Sequence, residues 1–126
     1  MTAALDHTIV SVNDQDESVE FYTKLLGFHY DGRGGMNDVF AIIRLNGSFT
    51  LDLRRSDDVP SSHYAFAMDR PQSFQAIKAA GIPYGDGPRD TANMRGPGIS
   101  AGAKGETLSA YFSDPSGHLL EIITYG

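Results

Sequence analysis

Leu5 to Val12 alternates apolar and polar positions and is rich in β-branched residues, which predicts a strand. The period then changes. Asp14, with Glu17 three residues on, has the pattern of a helix cap, and Val19, Tyr22, Leu25 and Leu26 recur at helical spacing before Gly27 ends the run. A weak strand is predicted near residues 28–30. Two clearer ones, 39–45 and 48–54, flank Asn46-Gly47, a dipeptide that favours a type I′ turn. The first half reads β-α-β-β-β.

The second half repeats the order. Residues 62–68 form a strand pattern, Pro71 stands near the first position of a helix with Phe74 and Ile77 on its buried side, and Gly81 ends that helix. A last hairpin, 107–113 and 118–124, turns at Asp114-Pro115-Ser116-Gly117, which suits a three-residue loop with Gly117 in the left-handed region. The extra length lies between Ile82 and Glu106, in a stretch rich in proline and glycine. It is expected to be a lid or cavity wall. The fold class is therefore α+β, two βαβββ modules (about 1–57 and 58–126) within a single domain.

The duplication sets His7 and His63 at matched points of the two opening strands, and Glu121 lies in the last strand. Two imidazoles and one carboxylate from separate strands are the ligand set of an open divalent-metal site. Side chains alternate faces along a strand, so His63 shares its face with Ala65 and Ala67, and His7 with Ile9 and Ser11. Tyr111 falls opposite Glu121, with Thr107, Ser109 and Ser113 on the same side of its strand, a polar row expected to line a wet cup. His29 and His118 read as surface residues.

Composition narrows the function classes. At 126 residues the chain is long enough for one cored domain. A formal net charge of −6 argues against nucleic acid or an anionic membrane as partner. With Cys 0 there is no disulfide, zinc–thiolate site or thiol nucleophile. No export signal or spanning run is visible, so the cytoplasm is the expected compartment.

Four stretches together resemble the vicinal oxygen chelate superfamily of glyoxalases, extradiol dioxygenases, fosfomycin thiol transferases and bleomycin-resistance proteins. They are Leu5-Asp6-His7-Thr8-Ile9, the helix Ser18-Val19-Glu20-Phe21-Tyr22 with Leu26-Gly27-Phe28, the strand His63-Tyr64-Ala65-Phe66, and the closing run from Tyr111 to Glu121. The resemblance implies paired βαβββ modules around a metal-binding cup, commonly in a homodimer, with His7, His63 and Glu121 at the ligand positions. It implies a divalent ion (iron, manganese, zinc or nickel) that holds two neighbouring oxygens of a small-molecule substrate. Glu121 or a metal-bound water would act as base, and Tyr111 would donate a hydrogen bond to the reacting oxygen.

Glyoxalase I relatives carry a fourth ligand at the repeat equivalent of Glu121. Aligning Gly47 with Gly117 makes that position Leu51, and gives neighbouring Asp52 the opposite strand phase. Three protein ligands leave several positions open, which favours a ring-opening dioxygenase. The alternatives are a non-catalytic binding protein of the bleomycin-resistance type, a glyoxalase or lyase, and a fosfomycin-type thiol transferase. For the last, Ile9 stands where a hydroxyl residue is usual.

Overall fold

The computed structural model describes residues 1–70 and 72–125, so the expected place of Pro71 lies outside the described residues. The chain divides into two compact units, Met1–Val59 and Pro60–Gly126.

In the first unit, β1 (His7–Val12), α1 (Gln15–Glu20), β2 (His29–Gly34), β3 (Phe40–Asn46) and β4 (Phe49–Arg55) form a four-stranded sheet ordered β1-β4-β3-β2. The second unit runs β5 (His63–Ala67), α2 (Gln72–Ala79), β6 (Gly98–Gly102), β7 (Gly105–Ser113) and β8 (Leu119–Thr124), ordered β5-β8-β7-β6. The opening strand pairs parallel with the closing one in both units, and the remaining ladders are antiparallel. One topology is used twice, as the βαβββ reading requires.

Local chemistry accounts for the elements. Asp14 Oδ1 accepts from the Glu17 amide at 3.0 Å, so the helix cap forms. Residues Phe21–Leu25 continue α1 as a π-type turn, which closes on Gly27: its amide bonds the Thr23 carbonyl and the Phe28 amide bonds that of Tyr22. Gly27 holds φ +74°, the left-handed stop. Ser18, Tyr22 and Leu26, spaced four apart, are buried where α1 packs over β3 and β4, whereas Val19 and Leu25 are only half-buried. Val10, Val12, Ala41, Ile43, Leu51 and Leu53 form the buried face of that sheet. In the second unit Phe66, Phe74, Ile77, Phe112, Leu120 and Ile122 are buried.

The Ser18 hydroxyl is buried without a hydrogen-bond partner among the described residues. Ser18→Ala removes that unmet group and adds helix propensity, so it should stabilise the protein by about 1 kcal/mol. Urea unfolding measures the difference, and a loss of stability would mean that the hydroxyl is satisfied in solution.

Three expectations change. Neither Asn46 nor Gly47 has a positive φ, so the β3–β4 turn is not type I′. Instead the Asn46 side chain accepts from the Ser48 amide at 2.7 Å, an Asx turn that does without the left-handed backbone. The Gly-rich stretch contains β6 and a bridge between Gly85 and Tyr111 that continues the same edge of β7. Part of the expected lid is thus sheet. His118 is buried rather than superficial: its Nδ1 accepts from the Ser62 amide at 3.0 Å, and its ring meets Tyr64 edge-on. The β7–β8 turn is as expected, with Gly117 at φ +86° and Asp114 Oδ1 accepting from the amides of Ser116 and His118. Among the described residues no helix is long and apolar enough to cross a membrane.

Candidate metal centre

The two parallel ladders align the modules residue by residue. On β1 and β4, His7 faces Thr50 and Ile9 faces Asp52; on β5 and β8, His63 faces Leu119 and Ala65 faces Glu121. The position equivalent to Glu121 is therefore Asp52. This corrects the assignment to Leu51, which lies on the buried face beside Thr8 and is 1% exposed. The two hairpins differ by one residue between turn glycine and ladder position, and a one-residue slip moves a side chain to the other face. Each unit thus carries an imidazole and a carboxylate on one face.

His63 is held in a defined tautomer. Its Nδ1 is 3.0 Å from the Leu119 carbonyl, which can only accept, so Nδ1 carries a proton. Its Nε2 then faces Glu121 Oε1 at 3.2 Å. An imidazole lone pair and a carboxylate oxygen at that distance need a proton or a metal ion between them. The Glu121 side chain is only 8% exposed.

His7 follows the same rule from the other unit. Its Nδ1 is 2.7 Å from Asp6 Oδ2, which leaves Nε2 without a partner among the described residues. A ring nitrogen bonded to a carbonyl or carboxylate, with the second nitrogen free, is the usual arrangement of a metal-ligating histidine. In donor type and tautomer, each pair taken by itself is of the kind a divalent cation takes. The side chains are gathered two by two: His63 with Glu121, and His7 within the field of Asp52. Among the described residues no group of three or more such donors is assembled.

The hydrogen bond that His7 donates to the Asp6 carboxylate, then the charge of Asp52, raises the His7 pKa above the ordinary histidine value. A raised pKa means that the protonated form is favoured in the folded state. That contribution is complete below the unfolded value and is lost as pH rises through the raised one. Asp6→Asn should lower the His7 midpoint in the metal-free protein, as followed by NMR of the ring protons. An unchanged midpoint would mean that the Asp6 contact does not persist in solution.

Tyr111 lies opposite Glu121 on the neighbouring strand, and its ring is stacked near that of His63, with centroids 6.4 Å apart and planes at 20°. Its hydroxyl is 2.9 Å from Ser100 Oγ. Burial raises its pKa, with the Glu121 charge acting the same way, so at neutral pH it is a hydrogen-bond donor. Thr107 and Ser109 share this face but line no wet cup: both are buried, with their hydroxyls bonded to each other at 2.7 Å, and Ser113 is exposed. His29 is exposed beside Asp31, as expected. Sequence reasoning missed Ser100, which lies in the glycine-rich stretch, and Asp52, for which the turn alignment gave the wrong phase.

A repeated βαβββ sheet, with an imidazole and a carboxylate on one face of each copy, defines a duplicated-module protein. The chain belongs to the Glyoxalase/Bleomycin resistance protein/Dioxygenase superfamily, whose model matches residues 4–122. It is 28% identical to virulence protein STM3117 of Salmonella typhimurium over 131 residues, covering 96% of this chain and 83% of that protein. Among solved structures it is similar to the integron cassette protein VCH_CASS1 from the mobile metagenome of V. cholerae. That match has TM-score 0.79 and 25% identity, and covers 100% of this chain and 98% of the other. It is also similar to the oxidase ChaP-H2, with TM-score 0.77 and 31% identity, covering 100% and 96%.

Proposed function

We propose that the protein is a divalent-metal enzyme acting on a small molecule that presents two neighbouring oxygens, with oxidative chemistry such as ring-opening dioxygenation as the favoured reaction. The observation that carries this is the pair His63 Nε2 and Glu121 Oε1 at 3.2 Å, with the His63 tautomer fixed by the Leu119 carbonyl. The metal would be held by His7, His63 and Glu121, and iron, manganese, zinc and nickel all suit two imidazoles and a carboxylate. The pairs come from different units, of one chain or of two copies in a homodimer. The ion would supply Lewis-acid stabilisation to charge developing on the substrate oxygens. Glu121 serves as the base, and the Tyr111 hydroxyl, kept protonated, donates to the reacting oxygen. The 31% identity to an oxidase supports the oxidative reading.

A second reading is favoured by Asp52. Sharing the face of His7, it is a candidate fourth ligand, and a closed set of two histidines and two carboxylates suits proton-transfer isomerisation or lyase chemistry better than oxygen binding. The deciding experiment is elemental analysis of protein purified without chelator, for wild type and His63→Ala, followed by turnover of catechols against hemithioacetals. About one ion per chain in wild type, lost in the variant, is the expected result. Wild type that takes up no metal even on reconstitution sinks the proposal and leaves a binding protein of the bleomycin-resistance type. Turnover of hemithioacetals alone selects the second reading.

A further inference from the structure

The face of the first sheet that carries His7 and Asp52 is not a uniformly polar, solvent-facing surface. Its ladders set the side chains in rows: His7, Thr50, Arg44 and His29; then Ile9, Asp52 and Ile42; then Ser11, Arg54 and Phe40. Ile9 is 50% exposed, and Phe40 and Ile42 are half-buried. Three apolar side chains, one exposed and two partly so, therefore lie beside the candidate ligands.

The arginines of this region differ in how they are engaged. Arg44 is locked to Asp31 at 2.6 Å and Arg55 to Asp57 at 2.6 Å. Arg54 is exposed and shares the face of Asp52, and its guanidinium has neither an ion pair nor a hydrogen bond among the described residues. An uncommitted guanidinium flanked by apolar side chains is suited to a carboxylate, which it can grip with two parallel hydrogen bonds. Charges are depleted at the core of protein–protein interfaces, so Asp52 and Arg54 in the middle of the patch argue against a protein partner.

We infer that this face selects a small organic anion with an apolar body: Arg54 takes the carboxylate, and Ile9, Ile42 and Phe40 contact the body. The far end of the ligand points toward His7 and Asp52. Same-face neighbours along a strand are about 7 Å apart, which puts Asp52 one step and the His7 row two steps from Arg54, so an anion held by the long Arg54 side chain and a head group beside Asp52 should be separated by roughly 7–10 Å, the length of an arylpropionate. The position of the head group rests on the proposed metal-dependent function; the anion contact does not.

The test is calorimetric binding of 3-(3,4-dihydroxyphenyl)propionate and 4-propylcatechol to metal-reconstituted protein. The two probes share head and body and differ in the carboxylate. Wild type should prefer the anion by about tenfold or more. Arg54→Met should reduce the preference below about twofold, with 4-propylcatechol affinity and metal content unchanged, and Arg54→Lys should keep part of it. A preference that survives Arg54→Met, no preference in wild type, or failure of wild type to bind either probe overturns the inference. Metal content is measured on the same samples. Protein without metal that still binds the anion through Arg54 would sink the proposed function and leave this inference standing.

Discussion

Glu121→Leu is expected to empty the protein of metal while leaving the apo-protein as stable as wild type or more so. Glu121 sits among Ala65, Leu119, Ile123 and Tyr111 on its face of the sheet, with a side chain only 8% exposed. A carboxylate there is largely withdrawn from water, and its side-chain hydrogen-bond partner is the partly exposed His63. Removing one partner of an ion pair is costly when the other is left buried, but the His63 side chain is 46% exposed and water can solvate it, so the leucine strands no buried charge and its apolar packing should be neutral or stabilising. Losing a direct ligand should weaken metal binding by more than the roughly 10–100-fold that follows loss of an outer partner. Elemental analysis and thermal unfolding in chelator measure both effects. If the leucine variant melts several degrees lower, Glu121 is structural and its burial has nothing to do with a metal.

The same residue shows what was legible in the sequence and what was not. The duplication was visible because turn chemistry and apolar spacing recur: the Asp14 cap, the stops at Gly27 and Gly81, and the Asp114–Gly117 turn all form as their residue types dictate. Side-chain phase was less secure. The turn residues Gly47 and Gly117 look equivalent, but Gly117 is left-handed and Gly47 is not, and β3 shifts register between Arg44 and Asn46. Those differences put Asp52, not Leu51, in phase with Glu121, and no propensity rule exposes a one-residue slip. β6 was hidden for another reason. Gly98 and Gly102 carry no side chains that could mark a period, so Ser100, which holds the Tyr111 hydroxyl, could not be placed. His118 looked superficial beside a turn. Its burial depends on the Ser62 amide, 56 residues earlier, which local pattern cannot show.

Gly85→Ala should be the most damaging single-methyl change in the second unit, and Gly87→Ala, two residues on, should be almost silent. Gly85 is buried, and both its amide and its carbonyl bond the backbone of Tyr111, at 2.8 and 2.9 Å. A β-carbon at position 85 would fall on the Asp90 carbonyl and stand 3.0 Å from Asn93 Oδ1. Backbone cannot swing aside as a flexible side-chain end can, so either the 87–94 turn moves or the bridge to Tyr111 opens. Opening it leaves buried polar groups unpaired, and each route costs on the order of 1–3 kcal/mol or more. At Gly87 the nearest atom to an added β-carbon is Asp90 Oδ2 at 4.0 Å, an ordinary contact, and φ is not positive. The alanine there should leave stability within about 1 kcal/mol of wild type, helped by the smaller entropy of its unfolded chain. Paired denaturant unfolding of the two variants reads the difference directly. Because Tyr111 is stacked near His63 and lies across the ladder from Glu121, the Gly85 variant should also lose metal affinity out of proportion to its distance from the ligands. Equal stability of the two alanine variants would mean that the close approach of residues 85 and 90 is absent in solution, and the bridge that positions Tyr111 with it.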